Sequence, residues 1–587
     1  MSTLPIAVTR RHRRSVRHTL DVRVSPYAYV APFFLLFCAF GLFPLIYTAW
    51  VSLHDWTLLS ETQTFVGLDN FATLLSDPYF WNATFNTLSI GVLSTVPQLA
   101  LAIWLAHLLN RRLRFQTLFR VALLLPNVTS VVAVVVIFSQ LFGRDFGMIN
   151  WVLSWFGVGA IDWGAGTATS HIALSVMIMW RWTGYNALIF LAAMQAVPRE
   201  LYEAATIDGA TNFTQLRKIT IPMIRPTIIF VVIVSTIGAM QVIAEPLLFG
   251  QASGGEGRHR QRRAGPAVPD PGAVRLRAGL RQLDVRLRLR LGRVLADVRG
   301  RGDRRRDQLP DQPQGEGRSG MRLRYLTLTA VAFFSAFPLY YSVVVASRHN
   351  SALAEVPPPL IPGGNFFANV ARVFDTVPFG LALINSVIVA GSISIAVMFF
   401  STLAGFAFAK LRFRGRNVML VITIATMMVP AQLGIIPLYM LMVKLEWTGT
   451  TYALIVPALV NAFGVFFMTQ YLSRALPSEL LEAGRVDGCT TWGLFWHVVL
   501  PTARPAAAVL GMLTFMSAWN DYFWPLVVLN PDNPTVQVAL STLASGYVND
   551  YVLGLAGTAI GTLPLVAVFA LFGKQIIGGI MQGAVKG

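Results

Sequence analysis

Glu203 and Asp208 stand five residues apart, with Ala204 and Ala205 between them and Gly209 directly after the second carboxylate. A carboxylate on a helix surface can accept a charge-assisted hydrogen bond from the arginine of another protein. Small residues beside it let that protein's surface approach the backbone. The same set recurs 279 residues later as Glu482, Ala483, Asp487 and Gly488. The register holds from Pro198–Pro226 to Pro477–Pro505, and 11 of the 29 positions are identical. Proline suits a helix start and glycine its end. Each copy therefore predicts a short helix, an Asp-Gly turn and a return stretch punctuated by Pro222 and Pro226, or by Pro501 and Pro505. The product is a rigid knob that can pass a partner's movement to the helices flanking it. The plainer alternative is an ordinary connector with a helix cap; the second copy in constant register argues against it.

The elements that carry these knobs are apolar. The chain of 587 residues is 55% hydrophobic and 13% charged, whereas soluble domains carry about a quarter charged residues. The apolar residues fall in blocks long enough to cross a bilayer, roughly 20 residues each. Five lie in the first part, at about 28–53, 84–110, 119–142, 170–195 and 226–249. Six lie in the second, at about 325–346, 383–410, 417–443, 452–472, 506–529 and 554–573. This predicts an all-α membrane protein of two homologous halves, about six transmembrane helices each. Because the repeat keeps its direction, the halves are related by an axis along the membrane normal. Basic clusters orient it by the positive-inside rule: Arg111-Arg112-Leu113-Arg114, Lys410 to Arg416, and Arg322 with Arg324. All are satisfied if the amino terminus, Met321 and both knobs face the cytoplasm. The basic start at Arg10 to Arg14 precedes a long first block without a small-residue cleavage pattern, which reads as a retained helix. The expected divisions are a basic tail (1–26), a first half (27–250), an Arg-rich segment (251–320) and a second half (321–587).

Polar residues inside apolar blocks are the default candidates for a transport path. In the first half these are Asn127, Arg181, Asn186, Gln241 and Glu245; in the second they are Asn461, Asn520 and Asp521. Sugar hydroxyls want amides and carboxylates beside aromatic faces, which Trp519, Tyr522 and Trp524 could supply. The competing assignment is that the polar groups bond to neighbouring helices and the aromatics form the interfacial belt. Pro126 and Pro430 read as packed kinks. Two distant thiols, Cys38 and Cys489, make no disulfide framework, and no Cys/His cluster has metal-ligand spacing. No phosphate-binding loop of the Gly-x-x-x-x-Gly-Lys type is present, so ATP cannot be hydrolysed by that route. A membrane-embedded enzyme would need a nucleophile–base set, and none is evident.

Glu203 to Ala210, followed by Ile219, Pro222 and Pro226, resembles the "EAA loop" of ABC importer permeases. The flanking chain is similar to the maltose-type, binding-protein-dependent carbohydrate subfamily. Residues 27–250 resemble its first permease subunit. Residues 321–587 resemble its second, including Trp519 to Pro525. The resemblance implies that Glu203, Asp208 and Gly209, and likewise Glu482, Asp487 and Gly488, dock into grooves on a cytoplasmic ABC ATPase dimer. It implies ATP and Mg in that partner and no cofactor on this chain, an extracytoplasmic solute-binding protein, a small-molecule sugar as cargo, and residence in the bacterial plasma membrane. Gly484 and Cys489 depart from the family pattern, and Gly484 should soften its helix by roughly 1 kcal/mol. The alternative is an ion-coupled secondary transporter with parallel halves. It would need an acid or base relay, which Arg181, Glu245 and Asp521 do not evidently form, and it gives the knobs no role.

Residues 251–320 break the pattern. They hold 17 arginines, no lysine, and none of Phe, Trp, Tyr, Ile or Met, with eight acidic residues. A basic linker or nucleic-acid arm is one reading of such a run. Topology opposes it, because Gln251 should emerge outside and Met321 should begin inside, so one crossing is missing. Legal codons in a GC-rich style can be chosen for Leu287 to Pro313 so that a one-base shift gives Phe-Gly-Tyr-Ala-Ser-Ala-Val-Ser-Trp-Leu-Met-Phe-Val-Val-Val-Ala-Thr-Ala-Val-Val-Thr-Asn-Phe-Leu-Ile-Ser; the protein sequence is compatible with such a frame. That stretch is apolar, of helix-spanning length, and similar to the family's final segment. The expectation is a frame change joining two adjacent permease genes, with the last helix of the first half lost and Met321 the original second start. Read in frame, the segment could cross a bilayer only at about 2.5–3.5 kcal/mol per central Arg.

Overall fold

The computed structural model describes residues 7–56, 63–111, 113–253, 318–427, 429–544 and 550–584. The Arg-rich segment, and with it the frame-change expectation, lies outside the described residues. The first half runs α1 (Ala7–Phe37), α2 (Phe43–Val51), a two-stranded hairpin, α3 (Asp69–Ser76), α4 (Pro78–Leu109), α5 (Gln116–Val128), α6 (Val131–Leu141), α7 (Met148–Ser154) and α8 (Thr167–Gln195). It continues with α9 (Arg199–Ile207), α10 (Asn212–Gln215), α11 (Ile221–Met223), α12 (Arg225–Met240) and α13 (Ala244–Ser253). The second runs α14 (Arg318–Ala346), α15 (Phe366–Thr376), α16 (Phe379–Lys410), α17 (Arg416–Thr426), α18 (Ile435–Lys444), α19 (Tyr452–Ala458) and α20 (Ala462–Ala475). It ends with α21 (Ser478–Val486), α22 (Thr491–Leu494), α23 (Leu500–Trp519), α24 (Phe523–Val528), α25 (Val536–Ala544) and α26 (Tyr551–Ala584).

Among the described residues, seven helices are long and apolar enough to cross a membrane, and two bent pairs add up to two more. The block at 119–142 is one such pair: α5 and α6 meet at 94°. The break falls at Thr129 and Ser130, just past the end of α5, which carries Pro126 inside it. The Ser130 side chain then caps the new helix by accepting from the Ala133 N–H at 3.1 Å. Three further blocks are broken in the same way: 417–443 by Pro430, 452–472 before Asn461, and 506–529 after Trp519. Pro126 is buried inside α5, near its end, whereas Pro430 stands in the break itself, between α17 and α18.

The repeat survives in three dimensions. Asn70 Nδ2 donates to the carbonyls of Ser52 and His54 at 3.0 and 2.9 Å. Asn369 Nδ2 does the same to Ala346 and Arg348 at 2.9 and 2.8 Å. In each half a long pair packs closely, α4 on α8 and α16 on α20. Backbone approach is tight where α8 crosses α5, since a Cβ on Gly184 would lie 1.7 Å from the Leu123 carbonyl oxygen.

Packing does not follow the sequence halves. Tyr29, Val30 and Phe33 of α1 are buried in a core otherwise made by residues 389–529. Leu328, Tyr341 and Val345 of α14 are buried with α4, α5 and α6 of the first half. Thus α1 enters the second half's core, while α14 lies in a core shared by both halves, packed on α5 and α6 of the first and on α26 of its own. Apolar surface shared across both halves ties them together.

Candidate functional site: two knobs and the cavity between the halves

The two knobs have the same backbone. Pro198 and Pro477 stand immediately before α9 and α21. The chain leaves α9 through Gly209 (φ +76°) and α21 through Gly488 (φ +83°), in the left-handed region that favours glycine. Ala210 N–H closes on the Ala205 carbonyl at 2.8 Å, and Cys489 N–H on Gly484 at 2.9 Å, as in a Schellman turn. Thr211 and Thr490 cap the short helices α10 and α22, accepting from the N–H of Thr214 and Gly493. A π-helical turn follows in each, Leu216–Thr220 and Phe495–Val499, still 279 residues apart. Glu203, Ala204, Asp208 and Gly209 are exposed, as are Glu482, Ala483, Asp487 and Gly488, while Ala205 is half-buried.

Two residues that pattern reasoning did not single out share this surface. Ile207 is 87% exposed and its counterpart Val486 is 88% exposed. An apolar side chain this bare beside a carboxylate suits a partner's pocket. The signal was available in the sequence, as a β-branched apolar residue directly before each Asp-Gly. Gly484 also acquires a reason. A Cβ there would meet Leu494 Cδ2 at 2.5 Å. In the first copy the same two positions are Ala205 and Gln215, and Gln215 Nε2 instead donates to Thr206 Oγ1 at 3.0 Å. The glycine makes room for leucine packing.

Basic residues gather at the knob end. Lys410 Nζ donates to the Ser473 carbonyl at 3.1 Å, just ahead of α21. The Arg114 N–H meets Tyr325 Oη at 2.9 Å. Asp21 of α1 reaches the second knob, its Oδ2 accepting from both Thr491 N–H and Thr491 Oγ1 at 2.8 Å. Tyr29, one face of α1 higher, packs against Trp492 and Phe495.

Between the halves lies a cavity of about 810 Å³. Asn127, Asn461, Asn520 and Asp521 are all in its wall, with Arg181, Trp182, Tyr185, Gln432 and Trp524. These positions are where helices break. Asn127 precedes the α5–α6 bend, Asn461 caps α20, and Asn520 and Asp521 separate α23 from α24. Broken helices expose backbone polar groups, and within a membrane such groups are tolerated where they line a cavity. Four buried polar atoms in this wall have no hydrogen-bond partner: Arg181 Nε, Gln432 Oε1, Asn520 Oδ1 and Thr535 Oγ1. Each such atom costs free energy until something bonds to it.

Three expected pathway residues stand outside the wall. Trp519 is 2% exposed and its Nε1 donates to the Gly561 carbonyl at 3.3 Å, facing α26. Glu245 is held by Arg181 at 3.3 Å, in a pair whose side chains are 11% and 13% exposed. Gln241 is the C-cap position of α12 and does not line the cavity. The reason is common to all three. Periodicity finds a polar or aromatic residue in an apolar block, but the face it presents depends on which helix lies opposite. Asn186 lies within reach of Ser235 at 3.5 Å, a contact between neighbouring helices.

Two separate stretches, residues 98–262 and 371–578, match the model of the binding-protein-dependent transport system inner membrane component. The arabinooligosaccharides transport system permease protein AraQ of Halalkalibacterium halodurans is 34% identical over 265 residues, 44% of this chain and 93% of that protein. AraP of the same organism is 35% identical over 246 residues, 42% of this chain and 77% of that protein. The lactose transport system permease protein LacF of Rhizobium radiobacter is 36% identical over 41% of this chain and 81% of its own. A solved chain of a bacterial alginate ABC importer is 24% identical, with a TM-score of 0.40, covering 46% of this chain and 99% of that one. With the family matched twice over more than half its length, and with paired knobs on a helical membrane bundle, this chain belongs to the binding-protein-dependent transport system inner membrane components, as a multi-pass permease carrying two copies of the family's domain.

Proposed function

We propose that the chain is the membrane path of an ATP-driven carbohydrate importer that works by alternating access. The sugar occupies the cavity between the halves. Its hydroxyls bond to polar side chains of the wall, such as Asn127, Arg181, Asn461 and Asp521, and its apolar faces lie against Trp182, Tyr185 and Trp524. The observation that carries the reading is the pair of knobs, alike in backbone at a 279-residue offset and each tipped by a carboxylate and a bare apolar residue. They suit docking into an ATPase dimer that binds ATP and Mg itself. Glu203 and Glu482 accept from its arginines, and Ile207 and Val486 fill its pockets. The basic residues at the knob end put that end in the cytoplasm, which leaves the opposite end for a solute-binding protein. Similar permeases named for arabinooligosaccharides and lactose support a sugar as cargo.

The test is charge reversal. Glu203→Lys and Glu482→Lys, singly and together, should each cut uptake at least ten-fold and release the ATPase on purification, with unchanged membrane levels of the permease. Retained ATPase and retained uptake in the double variant would overturn the reading. So would uptake driven by an ion gradient without ATP.

A further inference from the structure

Charge is scarce where the two halves meet. Among the described residues, the wall of the cavity carries two charged side chains, Arg181 and Asp521. Asp521 is an acid, so Arg181 is the wall's cation. That cation is not free. Its Nη1 donates to Glu245 Oε1 at 3.3 Å, and both side chains are largely buried. Glu245 itself stands outside the wall. The guanidinium thus borders the cavity with its charge cancelled by an acid that the cavity does not touch.

The two halves use this position differently. α13 and α24 start at matched places, Ala244 and Phe523, 279 residues apart. Glu245 is then the counterpart of Trp524, which does line the cavity. One half puts an indole there, and the other puts a carboxylate and turns it to Arg181. Stability does not require the exchange, because apolar substitutes for a buried ion pair are often neutral or better. Beside a cavity, however, such a pair has a chemical consequence. It offers guanidinium donors next to the ring of Trp182, whose centroid is 5.9 Å from Arg181 Cζ, and it adds no net positive charge. Hydroxyls can use those donors. A phosphate or carboxylate would need more, since an anion leaving water is repaid only by an opposite charge. Here one cation stands against two acids, Glu245 and Asp521.

We propose that Glu245 sets the charge selectivity of the cavity: by neutralising Arg181 it makes the site one for uncharged sugars and excludes sugar phosphates and uronates. Glu245 touches no cargo and acts through Arg181. Removing its charge while keeping its shape leaves Arg181 as a net cation at the cavity, and the site then accepts anions. Removing the charge of Arg181 instead leaves two acids and excludes anions further. The cargo class rests on the importer reading; the charge preference of the cavity does not.

The test reads charge from reaction rates. In the full chain with Cys38 and Cys489 replaced by alanine, Ser517→Cys puts a thiol at an exposed position of the cavity wall. A second chain, with Cys38→Ala alone, keeps the exposed Cys489 of the knob as a distant reference. Each is purified in lipid nanodiscs and treated with 2-sulfonatoethyl methanethiosulfonate, an anion, or with its uncharged 2-hydroxyethyl analogue. Glu245→Gln should raise the anionic-to-neutral rate ratio at residue 517 at least five-fold and leave the ratio at Cys489 unchanged, because a unit charge acts strongly only at short range and low dielectric. Arg181→Gln should lower the ratio at 517, and the double variant should return it to within two-fold of the parent. A ratio at 517 that ignores Glu245→Gln overturns the proposal. So does a rise that persists in the double variant, since opened packing rather than charge would then be the cause. Should Glu245→Gln be lost from the membrane, an unchanged ratio in Arg181→Gln overturns it equally. The cargo class is read by uptake in cells that also make the ATPase and the solute-binding protein. Uncharged disaccharides should enter, and digalacturonate and glycerol 3-phosphate should not. ATP-driven uptake of either anion would overturn the cargo class and leave the importer reading standing, whereas no ATP-driven uptake of any sugar would remove the importer reading and leave the rate ratios to decide the charge preference.

Discussion

At the residue scale, the pair formed by Arg181 and Glu245 illustrates how a buried ion pair acts. Its side chains are 13% and 11% exposed. Removing one partner leaves an uncompensated buried charge, which costs about 3–5 kcal/mol, while removing both with apolar substitutes is often neutral. Arg181→Ala and Glu245→Ala should each lower the melting temperature in detergent, and Arg181→Met with Glu245→Leu should recover most of the loss. If the double variant melts lower than either single one, the pair is stabilising in its own right. A second pair tests the packing of the second knob. Gly484→Ala should destabilise α21 by about 1–3 kcal/mol through overpacking against Leu494. Adding Leu494→Gln, which restores the first copy's combination, should relieve it. Thermal unfolding of the three variants decides this, and additive effects would refute the coupling.

At the element scale, the first helix is the clearest case. Its apolar residues foretold a membrane span and nothing about whose core it enters. Asp21 binds the start of α22, adding a second acceptor to the cap already given by Thr490. Replacing a capping acceptor by alanine costs about 0.5–2 kcal/mol. Asp21→Ala should therefore speed amide hydrogen exchange at residues 490–495 several-fold, with residues 211–216 of the first knob unchanged. Equal acceleration in both knobs would mean the effect is not the cap. The broken helices belong to this scale too. Pro126 and Pro430 were legible as kinks within single apolar blocks. The 94° bend between α5 and α6 was not, because it falls at Thr129 and Ser130, where a serine cap starts the new helix.

At the scale of the whole molecule, the packing of α1 in the second half's core and of α14 against the first half's helices should make the connection between the halves dispensable for their association. A protease site inserted within residues 254–317 and cut in membranes should leave two fragments that co-purify in mild detergent. Deleting residues 7–37 should weaken that association, since Tyr29, Val30 and Phe33 are buried in the second half's core. Fragments that separate on cutting would show that the shared cores are too weak to hold the molecule together. The central cavity depends on the same packing, because residues of both halves line it, from Leu36 to Thr535.

The 279-residue register, the two knobs and the apolar blocks were all present in the linear order of residue types. They are local in origin: helix starts and ends, period and length follow from neighbouring residues. The tertiary structure decided which face of each block meets a cavity and which meets another helix. Asn127, Asn461, Asn520 and Asp521 came to the cavity wall, whereas Trp519 turned to α26 and Glu245 to Arg181. A side chain's direction around an apolar helix is set by what packs against it, and here those partners come from the other half of the chain, hundreds of residues away.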